Sequence, residues 1–315
     1  MPAEPRRSAP RLAPRGRPGT DSWGRTPESV PRSPSLLPYL RLVRAPAAFS
    51  ALGDPLAGML IASGGLSRQR APRLAAAAAL IYLAGMALND LADREEDARE
   101  RPERPIPSGA VSPRTAALVG GALLFGGIAV ARGAGARWTG PALAAMVVAY
   151  DFQLKHSPTL GPIAMGACRS LSLLMGAEAG VDAGGIRRGG EAALLLGAYV
   201  AGLTLLARSE TGAAKRAELQ GGAALAGAAL LAAAVRGGPA SAAWATGAAV
   251  LAGPAVSRAL RDPGPKTVGP AVGALIRAIP ALDGALAGAR RPMPALVLLS
   301  LLGLTRWGRA IIPIT

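Results

Sequence analysis

The chain has 315 residues, a net charge of +16 and 50% apolar residues, with aromatics at only 3%. One cysteine, Cys168, excludes a disulfide framework and any cysteine-built zinc site, and one histidine, His156, excludes a multi-histidine metal site. The apolar residues come in long runs, mostly Ala, Leu, Val and Gly, with basic residues between them. This pattern points to a membrane protein whose cations sort by topology. A nucleic-acid binder would need a basic face interleaved with stacking aromatics.

Residues 1–35 are rich in Pro, Arg and Ser and have almost no apolar run. This composition predicts a disordered tail, and it lacks the apolar core of a secretory signal. Residues 36–315 read as one polytopic membrane domain. Candidate spans lie near 45–63, 73–92, 115–131, 138–151, 160–180, 191–208, 217–235, 240–258 and 293–312. That is about nine, and a further run at 268–289 is either a span or an interfacial helix. A full crossing takes about 20 apolar residues, so 115–131 and 138–151 are short. The first 44 residues hold nine arginines and three acids. With Arg41 and Arg44 beside the first span, the N-terminus is expected to be cytoplasmic, in a bacterial inner or plasma membrane. The loops at 93–114 and 209–216 then fall on the same side. Arg187 and Arg188 fall on the other.

Seven of the 19 acids lie between Asp90 and Glu103, where the second span runs out. Asn89, Asp90, Asp93 and Asp97 would share one sector if the helix continued. With Asn89 at zero they fall at about 100°, 40° and 80°. Carboxylates so close repel and need a positive partner. Hard oxygen donors of this kind suit Mg²⁺, which takes one or two carboxylates and completes its shell with phosphate oxygens. The competing reading is a solvated acidic loop balanced by nearby arginines.

Asn89 through Asp97 resembles the first aspartate-rich motif of UbiA-type prenyltransferases, N-D-x-x-D-x-x-x-D, and matches every defined position. Arg104-Pro105-Ile106-Pro107-Ser108-Gly109 resembles the family's R-P-I-P-S-G loop. Arg41 to Pro46 resembles its R-x-x-R-x-P entry to the first helix, and Tyr150 to Lys155 its Y-x-x-x-x-K element. The resemblance covers about 40–312. It implies an all-α bundle around a central cavity that opens to lipid. It also implies a prenyl diphosphate held through Mg²⁺, ionisation to an allylic cation, and attack by a lipophilic acceptor. On this reading Asn89, Asp90, Asp93 and Asp97 carry the metal. Asp90, Asp93, Lys155, Arg208 and Glu210 carry the chemistry, and Asn89, Arg104, Tyr150, Arg169 and Lys215 contact substrate. The expected partners are prenyl diphosphate, acceptor and membrane lipid, with no nucleic acid.

The second loop departs from the family pattern. From Ala207 to Arg216 it holds one carboxylate, Glu210, and no aspartate. Either one metal suffices, with Arg208 and Lys215 replacing the other, or the protein is a non-catalytic component that binds or transports prenyl lipid. The stretch Gly161 to Arg169, with the Arg-Ser-Glu loop, resembles the EboC-like subgroup, which is associated with secondary-metabolite clusters. Arg169 lies inside an apolar span and faces a cavity or partner, or snorkels. Asp54 either lines the cavity or satisfies a helix end. Glu178 and Asp182 are expected at the interface. Asp283-Gly284 does not extend to a D-G-x-x-A-R signature, because Arg290 is too distant. Ser209 has no histidine partner for hydrolase chemistry, and no inverted repeat supports a transporter.

Overall fold

The computed structural model describes residues 36–44, 51–181, 183–210 and 216–288. The expected tail at 1–35 and the expected span at 293–312 lie outside the described residues. From Leu37 onward the described residues are all-helical and belong to one unit. In order the helices are α1 (Leu37–Leu42), α2 (Gly53–Ser63), α3 (Arg70–Ala92), α4 (Arg94–Glu100), α5 (Pro113–Gly133) and α6 (Thr139–Phe152). They are followed by α7 (Leu160–Val181), α8 (Ala183–Ala207), α9 (Arg216–Arg236), α10 (Gly238–Arg261) and α11 (Pro265–Ala287). Short 3₁₀ turns at Leu154–His156 and Arg208–Glu210 follow α6 and α8.

Six of the described helices are long and apolar enough to cross a membrane: α3, α5, α7, α8, α9 and α11. The described part of the run at 268–289 lies in α11, which has the length and composition of a span. Residues 240–258 sit inside α10, which is 24 residues long but is not among the six. The described part of the 45–63 run is the 11-residue α2, and α6 has 14 residues. α8 begins about eight residues before the expected 191, because Arg187, Arg188 and Glu191 are absorbed into its first turns. Arg188 Nη1 donates to the Ala62 carbonyl at 2.8 Å, which satisfies an acceptor in the last turn of α2.

α7 packs against α2 and α8, α3 against α5, and α11 returns to α2 and α8. In lipid the packing gain comes from close backbone approach, which small residues permit. The α2–α7 crossing shows why. A Cβ on Gly176 would collide with the Pro55 carbonyl, and one on Gly58 would collide with the Leu173 carbonyl. Between α8 and α11, the Tyr199 hydroxyl donates to the Leu275 carbonyl at 3.0 Å.

Asp182 lies outside the described residues, and Glu178, near the end of α7, is buried in the protein. Its carboxylate accepts from the backbone N–H groups of Arg137, Trp138 and Thr139 at 3.0, 3.1 and 2.9 Å and from Thr139 Oγ1 at 2.5 Å. Trp138 supplies no side-chain cap of its own to α6. An acid from a neighbouring helix therefore caps it, at the end where the helix dipole favours negative charge. Glu178→Ala leaves buried donors unsatisfied. It is expected to destabilise by about 2–4 kcal/mol, read as a lower thermal midpoint in detergent by circular dichroism, with Glu178→Gln intermediate.

Candidate active site

The site is built at the end of α3. The helix does not run on through Asp97. It stops at Asp93 (φ −89°, ψ 6°), whose N–H still donates to the Asn89 carbonyl, and α4 then starts at Arg94. The single-sector wheel is therefore corrected: a break at Asp93 separates Asn89 and Asp90 from Asp97. The acids are nonetheless drawn together, through the cations they face.

Arg44, which has left-handed backbone (φ 46°), turns its Nη2 to Asp90 Oδ1 at 2.9 Å. Arg104 Nη1 reaches Asp97 Oδ2 at 2.5 Å and Asp90 Oδ1 at 3.6 Å, while Arg101 Nη1 lies 3.4 Å from Asp97 Oδ1. Arg104 is held there by its own loop. Ile106 and Val111 bury beside Leu42, Val43 and Ala87, and the Val111 N–H donates to the Pro105 carbonyl. The Arg-Pro-Ile-Pro-Ser-Gly stretch thus folds under α3 and aims one guanidinium at two aspartates. Asp97 is only 1% exposed at its side chain. Arg104→Ala leaves it to the half-exposed Arg101, and is expected to cost about 3–5 kcal/mol. The readout is the thermal midpoint, with Arg104→Lys recovering part of the loss.

The opposite wall comes from the end of α6. Lys155 Nζ sits 2.5 Å from Asp93 Oδ1, a close charge contact without hydrogen-bond alignment. Asn89 Nδ2 donates to Asp151 Oδ1 at 3.3 Å. Asp151 is buried, and its Oδ2 has no hydrogen-bond partner among the described residues. Tyr150 lies within Coulombic range of Asp151, Asp93 and Arg208. Arg208 and Ser209 occupy the turn after α8, and Arg208 Nε and Ser209 Oγ are buried and make no hydrogen bond among the described residues. Chemically this is a set of hard oxygen donors interleaved with guanidinium and ammonium groups at the end of a membrane span. Such a set can take up a polyanion and a hard cation together.

A family model for the UbiA prenyltransferase family matches residues 55–211, from α2 through the turn at Arg208–Glu210. The chain belongs to the UbiA prenyltransferase family. A digeranylgeranylglyceryl phosphate synthase of Methanoculleus marisnigri is 35% identical over 151 residues, 47% of this chain and 54% of that protein. The chain spans about half the length of the relatives it matches. A structure of digeranylgeranylglyceryl phosphate synthase in membranes has a TM-score of 0.59 at 19% identity, covering 80% of this chain and 98% of the other. A UbiA homologue from Archaeoglobus fulgidus bound to GPP and Mg²⁺ has a TM-score of 0.53 at 16% identity, covering 87% and 99%. At these identities the two structures show the fold.

In this UbiA-family membrane protein, the structure brings Asn89, Asp90, Asp93, Asp97, Arg104 and Lys155 together, with Tyr150 and Arg208 within electrostatic reach. Arg169 goes elsewhere: its Nη2 lies 2.6 Å from the fully buried Asp54 Oδ1, an ion pair that ties α7 to α2. Lys215 and the side chain of Glu210 lie outside the described residues. Sequence reasoning missed Asp151 and the pairing of Arg44 with Asp90. Asp151 stands four residues before Lys155, one helical turn away, and that spacing was the available signal. Among the described residues no three His, Cys, Asp or Glu side chains converge closely enough to hold a metal, because Asp90, Asp93 and Asp97 face protein cations. The donor set nevertheless fits Mg²⁺, since Asn89, Asp90, Asp93 and Asp97 offer amide and carboxylate oxygens around the end of one helix.

Proposed function

We propose that the protein transfers an isoprenoid chain from a prenyl diphosphate to a lipophilic acceptor within the bilayer, using Mg²⁺. The observation that carries this reading is the gathering of Asn89, Asp90, Asp93 and Asp97 against Arg44, Arg104 and Lys155 at the end of α3. The A. fulgidus homologue bound to GPP and Mg²⁺ supports it, as does the name of the M. marisnigri relative.

On this reading the carboxylates and cations neutralise one another before substrate binds. Lys155, Arg104 and Arg44 would meet the diphosphate oxygens, and Asn89, Asp90, Asp93 and Asp97 would hold the ion. Bound Mg²⁺ supplies charge stabilisation to the leaving diphosphate. Lys155 and Arg208 add fixed positive charge around the same oxygens, where it is worth most as the bond breaks. The C1–O bond breaks with its electron pair leaving on the diphosphate, the acceptor's nucleophilic atom bonds to C1, and the acceptor's proton is released. Tyr150 and Arg208 lie within electrostatic reach of this cluster. The basic residues that meet here, Arg44, Arg101, Arg104 and Lys155, support a cytoplasmic site and N-terminus.

One observation favours a second reading, a non-catalytic prenyl-lipid binding or transport component: the 207–216 loop has a single carboxylate. Glu210→Gln separates the two. Labelled geranylgeranyl diphosphate would be supplied in nanodiscs with Mg²⁺ and two acceptor classes, a phenol and a prenylated glyceryl phosphate. Transfer by the wild type and its loss in Glu210→Gln support the enzyme. Tight binding of the diphosphate without transfer, unchanged by Glu210→Gln, supports the binding component.

A further inference from the structure

Two rungs join α3 to the end of α6. Asn89 meets Asp151, and Asp93 meets Lys155, with each pair of partners four residues apart on its own chain segment. The helices are close at this level: a Cβ on Gly85 would stand 3.0 Å from Val147 Cγ1 and 3.8 Å from Asp151 Oδ2. The Lys155 rung belongs to the diphosphate reading. The Asp151 rung has no role in it, yet Asp151 is a buried carboxylate with one unpartnered oxygen beside a hard-donor cluster.

The chemistry of the rung is directional. A carboxamide binds a hard cation through its oxygen, never through its NH₂ group, which has no lone pair to offer. An asparagine free to rotate about its last torsion presents either end. Asp151, when ionised, only accepts hydrogen bonds, so the Asn89 group that faces it must be the nitrogen. The amide oxygen is thereby turned away from Asp151. We propose that Asp151 is a positioning residue of the metal site, locking the Asn89 carboxamide with its oxygen toward the bound ion. The inference rests on the reading of Asn89 as a metal ligand. Partners that orient a ligand in this way are typically worth about 10–100-fold in metal affinity.

The test is Mn²⁺ binding to the full chain in detergent, followed by electron paramagnetic resonance, for the wild type, Asp151→Val, Asn89→Ala and the double variant. Asp151→Val is expected to weaken Mn²⁺ binding by about 10–100-fold. In the Asn89→Ala background the same substitution is expected to change it by no more than about twofold, because a residue that acts only through Asn89 has nothing left to orient. Circular dichroism confirms that each variant is folded, and Asp283→Asn, at a buried acid on α11, serves as a control with wild-type affinity. An unchanged affinity in Asp151→Val overturns the inference, as does the same fold-loss in both backgrounds, which would make Asp151 a ligand or a general field source. A wild type that binds no Mn²⁺ overturns the metal reading itself, a result distinct from either.

Discussion

Asp93→Asn is expected to lower prenyl transfer by at least about a hundredfold, or ~2.7 kcal/mol of transition-state stabilisation. Asp93 is the point where α3 breaks, so its carboxylate projects from a helix end and contacts Lys155 on the facing segment. It is also less buried than Asp90 and Asp97, with a side-chain exposure of 20% against 4% and 1%. Asp90 and Asp97 anchor arginines, and their loss would disturb the fold. Asp93 is the acid most open to an incoming ion. Asparagine keeps its size and its backbone hydrogen bonds, so the thermal midpoint is expected to move little while turnover collapses. Product formation from labelled geranylgeranyl diphosphate, set beside a melting curve, separates these two effects. A variant that retains activity within about threefold would remove Asp93 from the chemistry.

Gly176→Val is expected to abolish the native fold or to lower its stability well beyond the about 1–3 kcal/mol typical of overpacking. The reason is backbone against backbone. A Cβ at 176 would occupy the space of the Pro55 carbonyl, and Gly58 makes the reciprocal approach to the Leu173 carbonyl. Neither obstacle is a flexible side-chain end that could swing aside. The same crossing carries the buried Asp54–Arg169 pair, so pushing α2 from α7 also pulls apart two charges in an apolar setting. The yield of monodisperse protein on size exclusion and its melting curve give the readout. As a comparison, Gly121→Val is expected to be tolerated, since nothing lies within 4 Å of a Cβ there.

The parts of this architecture that are legible in the sequence are those set by local composition. The apolar run at 73–92 becomes α3, and the residues of the first motif meet their cations because both sets must lie where the span ends. Less legible is what depends on distant segments. A helical wheel assumes an unbroken helix, and nothing local in Asn89–Asp97 announces the break at Asp93. Asp151 reads as one polar residue beside Tyr150 until α6 is laid against α3 and Asn89 becomes its partner. Glu178 reads only as an acid near the end of α7, and its partners come from a distant segment, since the turn entering α6 folds over it and supplies its donors. Span edges are hard to read where composition blurs. α8 carries Arg187, Arg188 and Glu191 in its first turns, and the arginine reaching Ala62 is satisfied by another helix.

The proposed chemistry of this site is ionisation of a prenyl diphosphate with the help of a metal. Its most direct test is pyrophosphate release by the purified full chain in nanodiscs, measured with geranyl, farnesyl and geranylgeranyl diphosphates, with and without Mg²⁺ and acceptor. Release is expected with at least one chain length, dependent on Mg²⁺ and lost on chelation. No release from a folded protein at any chain length, with phenolic and glyceryl phosphate acceptors present, would contradict it and leave a prenyl-lipid binding protein on the same fold.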